Sequence, residues 1–552
     1  MKRASFLALT FCLLAHLSSA QTVNTITAAG LGYPVPTPVD SQTPVTGFRS
    51  YDSLNARFLD LATSHSFMQP ANAGATIEGR QVTVYRFSIG TTTQEGAPKS
   101  ASFLQATLHA REWAAPETAA AVIEWLAENG DTDAVAKYLL ENMEIVINPI
   151  GNPDGFVQTQ RYPTSTISGG SSGSAGNDGR MRRKNMHDVD TILSTTNDYT
   201  LGVDLNRNHT VGFGAAGSSG SVSNQTYRGT AVNSEPETAA TYAAAALLNT
   251  SRIRFAIDYH SYDQAFYVNL NGAPGHDTAG TEAYAVMRDV IAAVHGTQYD
   301  EIAWSVPQQA YGATDEYFCG TYGAMSYTLE IRPNSGSNGF ILPAADAPAV
   351  RDELTAGTRA GLYYAAGPAA VLDIEVFDTT DTLQPGASIY HHSRTYNSSS
   401  ARRDFVTNGG ALESGEKYLV AIRFNKPMRH YNGSQWKLFD GLTGVEYPSC
   451  DVGGVASASG VSWGAAGTFR LPLRYEGDTA WVLLDLTTGA AAGTYPLQIR
   501  TVDMAGVPID SDAATVADWS SAGWTNYETA TAGDASAQVT IGNSQGDIWM
   551  LH

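Results

Sequence analysis

The chain has 552 residues, 43% of them hydrophobic and 16% charged, which supplies apolar material for sizeable cores and carries no signature of disorder. At about 150 residues per domain the length corresponds to about three to four domains' worth of sequence. Its 33 Lys plus Arg against 54 Asp plus Glu give a net charge of −21, and that balance argues against nucleic acid and anionic membrane as partners, since both demand clustered positive charge.

Residues 1–20 read as a secretory signal peptide: Lys2 and Arg3, an apolar run from Phe6 to Leu17, then Ser18-Ser19-Ala20. The run is shorter than the roughly 20 residues a membrane span needs, so a secreted, extracellular protein is expected. Its removal leaves 31 basic against 54 acidic residues. Cys12 leaves with it, so Cys319 and Cys450 allow one disulfide or two buried thiols, and neither a disulfide scaffold nor a Cys-based zinc site. Residues 21–46, with Pro34, Pro36, Pro38 and Pro44, read as an extended leader too short for a folded pro-domain.

From 47 to 366 strand-like and helix-like stretches alternate: Val82 to Ser88, Phe103 to His109, Pro116 to Asn129, Glu144 to Asn148, Phe255 to His260 and Glu282 to His295. Alternation of this kind predicts an α/β domain with a mixed or mostly parallel sheet. Pro116 and Glu117 suit a helix start and Gly130 a helix stop. Beyond 367 the helical period fades into short alternating runs, Lys417 to Asn425, Thr479 to Leu486 and Thr494 to Val502. Residues 367–552 therefore read as an all-β sandwich region of one large or two small modules. Its role is structural, or alternatively contact with a surface or glycan.

The strand-like run Phe103 to His109 ends in His109-Ala110-Arg111-Glu112, and a second, Arg254 to His260, delivers His260-Ser261-Tyr262. The carboxyl ends of strands in open α/β sheets are where ligands bind. Two histidines and a carboxylate with an open fourth position make a catalytic rather than a structural zinc arrangement. Either histidine alone is more often a satisfied structural residue. A third run, Ser326 to Arg332, places Glu330 on an apolar strand, where it would pair with Arg332 or, beside a metal, shuttle a proton as general base and then acid. Positive charge collects at Arg180-Met181-Arg182-Arg183-Lys184 and at Asn206-Arg207. Near a metal such arginines suit a carboxylate or an oxyanion, which points to an acidic-ended substrate.

HARE at 109–112, NPIGNPDG at 148–155, RMRRK at 180–184, GVDLNRN at 202–208, HSY at 260–262 and LEIRP at 329–333 together resemble, in order and spacing, the zinc metallocarboxypeptidases of the carboxypeptidase A type. Two histidines and a glutamate are the known zinc ligands of carboxypeptidase A itself. The resemblance spans about residues 47 to 366 and leaves the tail uncovered. It implies an α/β/α sandwich with a mixed sheet, one Zn2+ held by His109, Glu112 and His260, and Glu330 activating the water that attacks the scissile carbonyl. It implies that Arg183 stabilises the oxyanion, that Asn206 and Arg207 hold the substrate's terminal carboxylate, and that Asp204 supports the first zinc histidine from behind. Arg111 and Arg180 resemble outer subsite contacts, and Ser261 and Tyr262 line the cleft by the same analogy. The activity implied is removal of single C-terminal amino acids from peptides and proteins.

The pattern departs from the family where relatives carry a mobile tyrosine: counting from Gly312 places Gln308 there, with Tyr311 a substitute from a shorter loop. The residue flooring the side-chain pocket is Thr314 when counted from Gly312 and Asp315 when counted from Glu330; a carboxylate floor would favour C-terminal Lys or Arg. Gly/Ser-rich loops at 169–176 and 214–221 fringe the cleft. Competing readings are a peptidase trimming cell-wall peptides, against which Arg183 and Asn206-Arg207 argue, and an inactive fold serving as a binding or adhesion module, which has no need of His109, Glu112, His260 and Glu330 together.

Overall fold

The computed structural model describes residues 41 to 542 except 162–178, 188–201, 269–282, 304–310, 510–537 and shorter stretches, most of them in the tail. The expected signal peptide, residues 21–40 of the leader, the 169–176 loop and Gln308 lie outside the described residues.

The N-terminal part is built on one eight-stranded sheet. Its strands are β1 (Met68–Ala75), β2 (Gln81–Phe87), β3 (Ser100–Ala106), β4 (Met143–Asn148), β5 (Ile253–Ser261), β6 (Ala265–Val268), β7 (Asp300–Ala303) and β8 (Met325–Ile331). They lie in the order β1-β2-β4-β3-β5-β8-β6-β7. The central pairs β4–β3, β3–β5 and β5–β8 are parallel, while β1–β2, β2–β4 and β6–β8 are antiparallel. The sheet is thus mixed, as the alternation of the sequence predicts.

Period-two alternation puts each strand's side chains on two faces. Leu104, Ile145, Ile147, Phe255, Ile257, Tyr259, Tyr327 and Leu329 enter the larger core, against α1 (Tyr51–Ser64), α2 (Ala114–Asn129), α3 (Ala134–Asn142), α4 (Pro153–Arg161), α6 (Ala283–His295) and α8 (Ala347–Ala365). Val82, Val84, Phe103, Val146 and Ala256 enter the smaller one, against α5 (Pro236–Ala245) and α7 (Thr314–Tyr322). Phe103 stacks on Phe318 at 4.5 Å between ring centroids, tying β3 to α7. The smaller face matters for function: by the same alternation it carries Gln105, Asp258, His260, Thr328 and Glu330.

Local details refine the expectations. Helix α2 starts at Ala114, two residues before Pro116, which still falls in the first turn, where amide hydrogens have no helical acceptor. Gly130 closes α2 in a right-handed conformation, so its backbone does not require glycine. Space does: a Cβ there would lie 2.7 Å from Leu140 and Phe67. Cys319 and Cys450 are both buried free thiols.

After α8 the chain is all β. One antiparallel sheet runs β11-β10-β9-β13-β19-β18, from β9 (Val371–Thr379), β10 (Pro385–Asn397), β11 (Arg402–Gly409), β13 (Lys417–Phe424), β18 (Gly460–Trp463) and β19 (Thr479–Asp485). A second runs β12-β21-β20-β16-β17, from β12 (Leu412–Glu413), β16 (Ser449–Val452), β17 (Val455–Ser457), β20 (Gly493–Arg500) and β21 (Gln538–Gly542), and β14 (His430–Tyr431) pairs with β15 (Trp436–Lys437). Ile374, Val420, Ile422 and Val482 of the first share a core with Cys450, Leu497, Ile499 and Ile541 of the second, so the two sheets form one sandwich. Strand β13 is buried on both faces, because Leu419 and Ala421 pack outward with Phe377 and Trp481. This explains its run of apolar residues where a half-buried strand would alternate.

The sandwich is fastened to the α/β part. Phe439, Tyr475 and Met504 join the larger core. Lys426 is buried with its ammonium on Asp503 at 2.9 Å and, across the junction, on the carbonyl of Tyr363 in α8 at 3.2 Å. Arg403 makes a two-point pair with Glu95 at 2.6 and 3.0 Å.

Candidate active site

Strand β3 ends at Ala106 and Thr107 takes a left-handed turn, φ 63°, so His109 stands on the loop beyond the strand rather than on its last residue. Glu112 donates its amide to the carbonyl of His109, a turn that puts the two side chains side by side. His260 stays within β5, two strand positions beyond Asp258.

The three side chains converge. Glu112 Oε1 lies 2.9 Å from His109 Nδ1, Glu112 Oε2 lies 2.9 Å from His260 Nδ1, and the two Nδ1 atoms face each other at 3.0 Å. All three residues are buried, and they form a cluster competent to hold a metal. Behind His109, Nε2 meets Asp204 Oδ1 at 3.0 Å. A carboxylate there keeps the proton on Nε2 and directs the Nδ1 lone pair inward. Two inward imidazole nitrogens and a carboxylate repel one another unless a cation or a proton lies among them. The donor set therefore fits zinc, with three protein ligands and room for a fourth.

The charges of the metal-free cluster reflect this competition. Burial alone would raise Glu112, yet His109 and His260 hold it well below the usual range. Burial, with Arg183 nearby, pushes His109 down, whereas Asp258 and Glu112 overcome burial to raise His260.

Glu330 is the register partner of His260 across the parallel β5–β8 pair, so the pairing of two strands sets a carboxylate beside the cluster. Its Oε2 is buried without a hydrogen-bond partner. Burial, together with Glu112, pushes it up to about 8; a dication among the ligands would pull it back down.

Arg183 donates from Nε and Nη2 to Asp204 Oδ2 at 3.1 and 3.0 Å, and its Nη1 lies 3.9 Å from Glu112 Oε1. One carboxylate, Asp204, thus holds both His109 and Arg183. It also caps the turn Leu205–Arg207 by accepting from the Asn206 amide at 3.0 Å. Asn206 Oδ1 accepts from the Thr314 amide at 2.9 Å, and its Nδ2 lies 3.2 Å from His260 Nε2. Arg207 donates to the carbonyls of Gly217 and Asn206 at 2.8 and 2.5 Å. Burial lowers its pKa while Asp204 opposes the shift.

Thr314 Oγ1 sits among Gln105 Nε2, Asn206 Oδ1 and His209 Nε2 at 3.1 to 3.2 Å. Its hydroxyl therefore orients Asn206. Asp315 is buried with Oδ2 unpartnered, and burial with Asp258 nearby pushes it up to about 6. Tyr311 is half-buried and packs on Gly212, where a Cβ would fall 2.5 Å from its ring.

On the other side, Arg111 stacks on Phe340 at 4.1 Å, and Tyr262 meets the same ring edge-on at 4.8 Å. Arg180 is buried over Trp113 at 4.2 Å, with its guanidinium on the carbonyls of Arg111 and Phe340. It thus fixes the loop carrying Arg111. Ser261 is buried and donates its amide to Glu112 at 3.1 Å, with Oγ unpartnered.

Four residues of this region escape the motif reading: Gln105, His209, Phe340 and Asp258. Gln105 and Asp258 share with His260 the period-two spacing of one strand face, a signal present in the sequence. His209 and Phe340 carry none.

Fold and site together define a metallohydrolase-like centre at the carboxyl edge of a mixed sheet. The zinc carboxypeptidase profile, Peptidase_M14, matches residues 56–356, and the chain belongs to that family. It is 28% identical over 307 residues to carboxypeptidase A1 of Rattus norvegicus, covering 54% of this chain and 66% of that protein. It is 28% identical over 309 residues to carboxypeptidase B of Astacus astacus, covering 54% of this chain and 90% of that one. The match thus spans slightly less than two thirds of the rat protein. The crystal structure of carboxypeptidase A from Helicoverpa armigera aligns with a TM-score of 0.47 and 23% identity, covering 62% of this chain and 78% of that chain.

Proposed function

We propose that this chain is a zinc-dependent carboxypeptidase that releases single amino acids from the C-termini of peptides and proteins. The observation that carries the reading is the convergence of His109, Glu112 and His260 with Glu330 one strand across and Arg183 at the edge. Zinc, when bound by the first three, supplies Lewis-acid polarisation of the scissile carbonyl and of the attacking water.

The chain's own residues do the rest. Glu330 takes the proton of the attacking water and delivers it to the leaving amine, acting as base and then acid. Arg183, its Nε and Nη2 held by Asp204, stabilises the negative charge that develops on the carbonyl oxygen. Asn206 and Arg207 bind the terminal carboxylate one residue away, which converts a peptidase centre into an exopeptidase. Arg111, Tyr262 and Ser261 contact the chain further upstream, Arg180 supports Arg111, and Tyr311 covers the bound end. Thr314 and Asp315 border the side-chain pocket. Thr314 directs its hydroxyl at Asn206, which leaves Asp315 as the residue that would favour a basic end.

The N-terminal sequence supports export, and no helix among the described residues is long and apolar enough to cross a membrane. We place the end of the catalytic domain near residue 366 and assign the sandwich beyond it a structural role, on the strength of its shared core with the α/β part. The test is amino-acid release from a free-acid peptide with and without a zinc chelator. Single-residue release lost on chelation and restored by zinc supports the reading; release that persists without metal overturns it.

A further inference from the structure

Asp258 takes no part in the proposed reaction. It lies within β5 on the same face as His260, its side chain is fully buried, and its Oδ2 is 2.9 Å from His260 Nε2. Neither oxygen has a hydrogen-bond partner among the described residues, so Oδ2 lies close to His260 Nε2 without being aligned on it as a hydrogen bond. Its register partners are Gln105 on β3 and Thr328 on β8, and neither is cationic. A carboxylate enclosed in this way is costly unless a hydrogen-bond donor lies against it, and the ring of His260 is the group in place to provide one. Being enclosed, Asp258 does not meet substrate; whatever it does passes through His260.

His260 Nε2 has two suitors. The Asn206 amide nitrogen, 3.2 Å away, can only donate and so suits a ring whose Nε2 is bare. Asp258 can only accept and suits a ring whose Nε2 carries hydrogen. A neutral imidazole that gives its Nδ1 lone pair to a metal must carry its hydrogen on Nε2. The two arrangements therefore exclude each other.

We propose that Asp258 is a positioning residue for the metal centre: it holds the Nε2 hydrogen of His260, turns the Nδ1 lone pair into the cluster, and releases the Asn206 amide toward the substrate's terminal carboxylate. Asp204 does the first two for His109, so each imidazole has its own carboxylate behind it. This rests on the zinc reading above and adds to it a coupling: metal loading prepares the carboxylate clamp.

The test uses the full chain. Zinc affinity is measured by competition with a chromophoric chelator, alongside thermal unfolding of metal-free and loaded protein and the kinetics of a free-acid peptide at saturating zinc. Loss of such outer partners typically weakens metal binding about 10- to 100-fold. Asp258→Ala is expected to fall in that range and to shrink the stabilisation that zinc confers. At saturating zinc its kcat/KM should still fall, because a His260 ring no longer held at Nε2 turns its Nδ1 away from the cluster. Asp258→Asn, whose Oδ1 still accepts from Nε2, should recover most of the affinity and keeps the test alive if the alanine variant does not fold. Zinc affinity within threefold of wild type in folded Asp258→Ala overturns the inference and leaves the zinc reading intact. Failure of the wild-type chain to bind zinc, or equal binding by His109→Ala, overturns the zinc reading itself.

Discussion

Gly312 sits at φ +82°, and a Cβ built on it would lie 2.6 Å from the carbonyl oxygen of Arg207, 3.0 Å from its carbonyl carbon and 3.4 Å from its Cα. Its own carbonyl accepts from the His209 amide at 3.0 Å and its amide donates to Val211 at 3.1 Å, so it cannot swing away without breaking both. Gly312→Ala carries two penalties. A left-handed backbone costs a residue with Cβ about 1–2 kcal/mol. The contact must also open by about 1 Å to reach the usual separation of about 3.5 Å, which displaces the Arg207 backbone and the clamp with it. A misplacement of about 1 Å at a positioning group costs about 10²-fold in rate. The expected result is about 1–2 kcal/mol lower stability in denaturant, zinc content unchanged, and kcat/KM on a free-acid peptide down about 10²-fold, chiefly through KM. Wild-type stability together with wild-type KM would refute the claim that this glycine shapes the Arg207 clamp.

Glu330→Gln should retain zinc by metal analysis while turnover falls by about 10²- to 10⁴-fold; loss of zinc, or undiminished turnover, contradicts the proton-transfer role. Arg207→Ala removes a charged hydrogen-bond donor worth about 1.5–3 kcal/mol, so KM for free-acid peptides should rise about ten- to a hundredfold with kcat little changed. Lys426→Met leaves Asp503 buried without its counter-charge, an expected loss of about 3–5 kcal/mol in denaturant unfolding that adding Asp503→Asn, whose Oδ1 still accepts from the Ala505 and Val507 amides, partly recovers; a neutral single variant would show that this buried pair does not stabilise the fold. Burial keeps His209 neutral, pushed down to about 3, whereas the unfolded chain takes up that proton near 6.5. Its contribution is thus whole above about pH 6.5 and is lost as pH falls toward 3, so the stability advantage of wild type over His209→Gln should shrink between pH 6.5 and 4. A pH-independent difference would contradict that assignment.

What the sequence reveals of this molecule follows the range of the physics involved. Period-two runs such as Phe255 to His260 are local, and the strands they announce are present. Ends are less legible: β3 stops three residues before His109 because Thr107 turns left-handed, a choice made by the loop's packing. The β13 run is apolar on both faces because Phe377 and Trp481 cover the outer one, which no local pattern foretells. In the site, the HARE and HSY motifs mark residues that the sheet brings together because β3 and β5 are neighbours. The Thr314 hydroxyl's place among Gln105, Asn206 and His209 joins residues up to 209 positions apart. Phe340, which Arg111 and Tyr262 both flank, arrives from a loop without any pattern. Contacts of that kind are fixed by tertiary structure alone. Asp258 is intermediate: its spacing from His260 was legible, its burial and its contact with Nε2 were not.

The most direct test of the central claim is release of free amino acids from a peptide panel varying only in its last residue, each as free acid and as C-terminal amide, with a chelator control. Single-residue release from the acids only, abolished by the chelator, is the expected result. Internal cleavage, or equal cutting of acids and amides, would contradict it, because the Asn206–Arg207 clamp would then not be selecting the chain end.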